Sequence, residues 1–194
     1  MNYLAHFYLA KGDKGLMVGN FIADHIAGNQ YLDFPEPIQK GVLQHRAIDT
    51  FTDEHPVVLE SKKRLRPIFH KFSPVIADVF YDYLLAKRWK QYSNQDLEKF
   101  TLGAYAVINE FHHLLPERAA FMFSYMERDN WLYNYRKIEG INRALTGMSR
   151  RTIKGSKMEL AAEYLRKDEA LYLAEFDAFF PELEAHATSF LNSI

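Results

Sequence analysis

The sequence predicts an all-α fold, and three observations carry that expectation. Strand-like alternation is nowhere sustained along the 194 residues. Apolar residues recur instead at helical spacing, between breaks marked by proline, glycine and capping side chains. His45, Asp49 and Asp53 follow one another at four-residue intervals, the spacing that shares one face of a helix.

The elements follow in order. An apolar helix over residues 2–10 meets the turn Lys11-Gly12-Asp13-Lys14-Gly15, and a second helix spans about 16–26 before Gly28-Asn29-Gln30 breaks it. Pro35-Glu36-Pro37 suits the start of a helix that carries His45, because proline is tolerated in a first turn. That helix ends before Pro56, since a residue preceding proline is pushed out of the α region. A basic amphipathic helix then covers 57–68. Ser73-Pro74 reads as an N-cap with proline at the first helical position, opening the helix of Asp78 and Asp82. A capping stretch at 93–96 precedes a helix from Leu97 to about Leu115, stopped by Pro116. Two more helices are expected, over about 116–133 and from Lys157 to the C-terminus, the last with a break near Pro181. No repeat, low-complexity tract or linker divides the chain, so 1–194 reads as a single helical domain.

Composition sets the bounds. A chain of about 150 residues already buries roughly two thirds of its unfolded surface, so a substantial core is available. With 48% hydrophobic and 15% aromatic residues the chain can fill one. The absence of cysteine excludes a disulfide framework, a thiolate nucleophile and cysteine-ligated zinc. His6 and the charged run Lys11 to Lys14 interrupt any signal-peptide core, and no apolar run approaches the ~18 residues that span a bilayer, so a cytoplasmic location without membrane contact is expected. A formal net charge of −1 gives nucleic-acid binding little support. P-loop, Rossmann and Gly-x-Ser-x-Gly fingerprints are all missing.

The polar stripe bears the chemistry. An imidazole and two carboxylates beside Val42, Leu43, Ile48 and Phe51 are costly to bury unless a positive charge neutralises them. Taken alone, such a stripe is more often a solvated face. Two further groups favour a divalent ion: Asp78 and Asp82, an i, i+4 pair among apolar neighbours, and Asp24 with His25 near the start. His6, set among aromatics, is as readily a core histidine as a ligand. His55 sits where its helix exits, free to turn back toward the same site. The adjacent His112 and His113 diverge by about 100° on a helix and cannot serve one site together. His70 and His186 read as surface or packing residues, and the aromatics from Phe121 to Tyr135 as core. Nitrogen and carboxylate donors together suit manganese, iron, zinc or magnesium.

Taken together, Met1-Asn2-Tyr3-Leu4-Ala5-His6-Phe7-Tyr8-Leu9-Ala10, Gly19-Asn20-Phe21-Ile22-Ala23-Asp24, the run from His45 to Pro56, Asp78-Val79-Phe80-Tyr81-Asp82 and Trp89 resemble the acyl carrier protein phosphodiesterase family. The resemblance is strongest over residues 1–92 and thinner after Arg151. It implies a helical bundle similar to the HD-domain phosphohydrolase fold. The activity implied is metal-dependent hydrolysis of 4'-phosphopantetheine from holo acyl carrier protein, with Mn2+ the implied ion and Mg2+, Fe2+ or Zn2+ compatible with the same donors. On this reading His6, Asp24, His45, Asp49, Asp53 and Asp82 hold the metal. Asp24 also takes part in catalysis, Arg46 stabilises phosphoryl charge and His55 protonates the leaving group. The chain departs from the family pattern at Ala23-Asp24-His25, where Gly-Asp-Phe is expected, and at Tyr83, where a histidine is expected. If that histidine is a ligand, His25, His55 or water must replace it.

Charge is unevenly placed. Arg143, Arg150, Arg151, Lys154 and Lys157 form one basic cluster, and Lys62, Lys63, Arg64 and Arg66 form another. Each reads as a solvated face or as a landing site for an acidic protein, which acyl carrier proteins are, and the first cluster is the preferred dock. Two alternatives stand beside the enzyme: a non-catalytic helical module binding an acidic partner, and an HD-type phosphohydrolase acting on another small phosphoester.

Overall fold

The computed structural model describes residues 1–152 and 155–194. Among them there is no strand, and no helix is long and apolar enough to cross a membrane. The helices are α1 (Tyr3–Leu9), α2 (Lys14–Ile22), α3 (Glu36–Glu54), α4 (Pro56–Phe69), α5 (Ser73–Lys87), α6 (Trp89–Tyr92), α7 (Leu97–Glu110), α8 (Glu117–Arg128), α9 (Trp131–Asn134), α10 (Ile138–Arg151) and α11 (Ala161–Leu191), with short 3-10 turns between several of them. The all-α expectation therefore holds.

Two local devices place the elements that matter. First, α2 and α3 cross backbone to backbone. A Cβ on Gly19 would lie 2.2 Å from the Ile38 carbonyl oxygen, and one on Gly41 would lie 2.5 Å from that of Leu16. Only glycine permits this approach. Second, α1 has no side-chain cap of its own. Asp82, fully buried on α5, accepts from Leu4 N at 2.7 Å and Ala5 N at 3.2 Å, so a carboxylate meets the positive end of α1 and ties it to α5. Val18, Phe21, Val42, Phe80, Tyr81, Tyr172, Phe176 and Phe179 fill a continuous core around these joints.

Several boundaries move from their expected places. Ser73 is already helical, and its hydroxyl donates to the His70 carbonyl instead of capping α5. Asp96 caps α7 as read, accepting from Glu98 N and Lys99 N, but α7 stops at Glu110, and His112 with His113 falls in a 3-10 turn instead of a helix. The break expected at Pro181 lies at Asp168 (φ −112°, ψ 21°), while Pro181 is accommodated inside α11, held by the buried Phe179, Phe180 and Leu183 around it. Helix α10 was not anticipated. Gly140 and Gly147 interrupt its pattern, and Gly140 is required because a Cβ there would meet Asn134 O at 2.0 Å. Phe121 and Tyr125 lie on the exposed side of α8, not in the core.

Because the α2–α3 crossing leaves no room for a methyl group, Gly41→Ala should lower unfolding stability by at least the ~1–3 kcal/mol typical of overpacking. Chemical denaturation checks this, with Gly103→Ala, which has open space, as the near-neutral control.

Candidate metal centre

The i, i+4 spacing on α3 sets His45 and Asp49 one above the other, and α1 brings His6 against them. The His6 and His45 rings stack with centroids 4.0 Å apart and planes 15° from parallel. Asp49 lies beneath both, Oδ1 3.2 Å from His6 Nε2 and Oδ2 3.1 Å from His45 Nε2. Asp24, in the turn after α2, places Oδ1 3.3 Å from the same His45 nitrogen. One donor atom from each of His6, His45 and Asp49 lies within 4.8 Å of the others.

The electrostatics follow from burial and charge. Burial opposes a charged ring at His45, but hydrogen bonds to Asp24 and Asp49 outweigh it and raise that imidazole to about 9. At His6 burial dominates, the neighbouring His45 adds to it, and the ring falls to about 4, hence neutral at physiological pH. Burial would raise Asp49, yet its hydrogen bond with His45 and the charge of the Met1 ammonium hold it far below the usual carboxylate range. Asp24 is likewise lowered, with His45 overcoming partial desolvation. The Met1 ammonium, buried, stands 3.4 Å from Asp49 Oδ1 and 3.1 Å from Asp78 Oδ1. Its neutralisation of Asp78 is incomplete, because burial leaves that carboxyl raised.

The donors fit a divalent ion. Neighbouring ligands about 2.1 Å from an ion, in tetrahedral to octahedral geometry, stand roughly 3.0–3.4 Å apart. The Asp49 Oδ1–His6 and Oδ2–His45 distances fall in that interval, each through its own carboxylate oxygen, and the three donors together lie within 4.8 Å. The His6 Nε2 contact is out of line for a hydrogen bond, which leaves this buried nitrogen without a partner.

The other expected residues scatter. Asp53 lies on the same helix, but eight residues from His45 amount to about 80° of drift, which carries it to the surface. There it pairs with Lys62 at 2.6 Å. Asp82 is the cap of α1 and is not available as a ligand. His55 turns the other way, 3.3 Å from Glu182 and among Phe51 and Phe179. It does not join the donor group, so its expected acid role is set aside. Arg46 donates to the Gly28 carbonyl at 2.7 Å and covers Tyr31. The Tyr83 hydroxyl donates to Glu169 on α11 at 2.9 Å and takes no part in this group. His25 keeps a buried Nε2 without a partner, beside Phe21.

Sequence reasoning missed Asn20 and Gln44. Both are buried, and Asn20 Oδ1 lies 3.0 Å from His6 Nδ1. The available signal was an amide next to Gly19 on α2 and another one turn after Gly41 on α3. The Met1 ammonium gave no signal.

Of the basic cluster, Arg143, Arg150 and Arg151 come together on α10 at a cleft of about 720 Å³ with Trp131 and Tyr135. Lys157 is exposed outside it, and Lys154 lies outside the described residues. The rival cluster is largely neutralised: Lys62 by Asp53, Lys63 by Glu60 and Arg64 by Glu175.

An all-helical frame with a compact nitrogen-and-carboxylate group defines a class, a helical protein whose first and third helices bring together donors that could hold a metal ion. Comparison with known proteins narrows it. The chain belongs to the acyl carrier protein phosphodiesterase family, whose family model matches residues 1–183. It is 34% identical over 152 residues to an acyl carrier protein phosphodiesterase of Enterobacter sp. (strain 638), covering 78% of this chain and 79% of the relative. It is 31% identical to those of Salmonella dublin, over 96% of this chain and 97% of the relative, and Klebsiella pneumoniae, over 94% and 95%. No solved structure matches it.

The relocation of Asp82 has a pH consequence. Burial, outweighing the two amides, raises its carboxyl to about 7 from 3.8. Between those values the folded chain holds a proton that the unfolded chain has lost, so this residue's contribution makes stability decline as pH rises from about 4 to about 7. Asp82→Asn should flatten that part of the profile in denaturation measured across the range. An unchanged slope would mean that Asp82 titrates normally.

Proposed function

We propose that the chain hydrolyses the phosphodiester linking 4'-phosphopantetheine to a serine of holo acyl carrier protein, releasing apo carrier protein and 4'-phosphopantetheine. The observation that carries this reading is the His6–His45–Asp49 group, in a chain of a family so named. His6 Nε2, His45 Nε2 and the Asp49 carboxylate would hold the ion, with Asp24 beside them as a further ligand or a carboxylate facing the bound water. Mn2+ is the ion the resemblance implies, and Mg2+, Fe2+ and Zn2+ share the donor chemistry. When bound, the ion polarises the phosphoryl group and lowers the pKa of a water.

The chain's own residues do the rest. Asp24, ionised at neutral pH and solvent-facing, accepts the proton of the attacking water as its oxygen bonds to phosphorus. The bond from phosphorus to the serine oxygen breaks, and that oxygen takes a proton from solvent. Arg46 has N–H groups beyond the one on Gly28 O with which to meet charge on the phosphoryl oxygens. Kinship with HD-type phosphohydrolases belongs to the same proposal, supported by the helical frame and the mixed histidine and aspartate donors.

The Arg143–Arg150–Arg151 cleft is the proposed dock for the acidic carrier protein. Among the described residues these three guanidiniums make no ion pair within 4.0 Å, whereas Lys62, Lys63 and Arg64 are already paired. The non-catalytic alternative has no comparable support.

Asp49→Ala should abolish phosphopantetheine release while the far-ultraviolet circular dichroism signal persists, and full activity in that variant would overturn the site. Reversing Arg150 and Arg151 to Glu should raise KM for holo carrier protein at least several-fold, with little effect on bis(p-nitrophenyl) phosphate. Added salt should have the same selectivity, because exposed charges are screened over ~8 Å at physiological ionic strength. Equal effects on both substrates would place the dock elsewhere.

A further inference from the structure

Two backbone carbonyls determine how a line of buried side chains must be protonated. Leu9 O lies 3.0 Å from Gln44 Nε2, and Leu16 O lies 2.9 Å from Asn20 Nδ2. A carbonyl only accepts, so each faces the NH2 end of its amide. Gln44 Oε1 is thereby aimed at Asn20 Nδ2, 2.8 Å away, and receives its second N–H. Both hydrogens of Asn20 are now used, and its remaining polar atom, Oδ1, can only accept. That oxygen stands 3.0 Å from His6 Nδ1, so the proton between them belongs to the histidine. Neutral imidazole carries a single ring proton, which leaves Nε2 with an exposed lone pair. This is the nitrogen that is buried without a partner, 3.2 Å from Asp49.

We propose that Asn20 and Gln44 are positioning residues that lock His6 as its Nδ1–H tautomer, so that Nε2 is presented as a ready donor to a divalent ion. The proton on Nδ1 stands on hydrogen-bond geometry alone, and the bare Nε2 follows from the neutrality of the buried ring. Its use rests on the metal reading of the site given above. The lock opposes the Nε2–H form that free histidine favours, and it removes a reorganisation that metal binding would otherwise require. It also explains why α2 and α3 approach so closely at Gly19 and Gly41: Asn20 and Gln44 follow these glycines by one and three positions, and only a close crossing lets their short amides meet. His45 has no such support, since its Nδ1 is buried without a partner.

Long-range 1H–15N correlation spectra of the full chain, 15N-labelled and chelator-treated near pH 7, read the tautomer directly. A protonated Nδ1 and an unprotonated Nε2 at His6 are expected, and an Nε2–H ring would overturn the proposal whatever the metal does. Asn20→Ala should release the lock, mixing or reversing the two nitrogen signals, and should weaken Mn2+ binding measured by calorimetry by roughly 10–100-fold. Asn20→Asp, whose carboxylate still accepts from Nδ1–H, should keep the tautomer and bind Mn2+ within a few-fold of wild type even though it loses the donors to Gln44 and Leu16. An unchanged tautomer in Asn20→Ala, or its loss in a folded Asn20→Asp, refutes the positioning role. If the alanine variant does not fold, the wild-type spectrum and Asn20→Asp decide. A locked His6 in a protein that binds no Mn2+ would instead remove the metal reading and leave the tautomer intact.

Discussion

Everything at this site turns on one carboxylate. Asp49 is approached by three nitrogens, those of His6, His45 and the Met1 ammonium, at 3.1–3.4 Å. A partly buried carboxylate is tolerable only with positive charge or hydrogen-bond donors around it. His45 and the Met1 ammonium supply these, and three joints hold the site: α1 anchored on Asp82, α3 carrying His45, and α2 closed onto α3 through glycine. Without the α1 anchor, His6 would have no fixed position. Without the glycine crossing, Asn20 and Gln44 could not meet, and the ring would lose its orientation. The core beneath is ordinary close-packed aromatic and aliphatic material, and it serves to make these joints rigid.

The paired environments of the two histidines also divide their tasks. His6 is held neutral with its donor atom bare, whereas His45 carries a proton shared between two carboxylates.

Much of this was legible in the sequence, and the failures are instructive. The i, i+4 pair His45 and Asp49 emerged because helical spacing guarantees a shared face over one turn. The same rule misled at Asp53, since two turns of drift carry the third residue out to Lys62. Asp82 was rightly read as no mere surface charge, but its role depends on α1, far away in sequence, whose amides it caps. Helix α10 was hidden by two glycines, one of them demanded by tertiary contact. The basic residues it carries were noticed, but that Arg143, Arg150 and Arg151 share one cleft follows only once their seven- and eight-residue spacing is wound into a helix. A net charge of −1 gives no hint of it, because net charge says nothing of distribution.

The central claim is that His6, His45 and Asp49 hold a divalent ion, and the most direct measurement is anomalous diffraction from crystals grown with Mn2+. The account predicts an anomalous peak about 2.0–2.3 Å from His6 Nε2, His45 Nε2 and an Asp49 oxygen, with Asp24 at its margin. A fully occupied peak on other residues, or none between these three at saturating Mn2+, would contradict it.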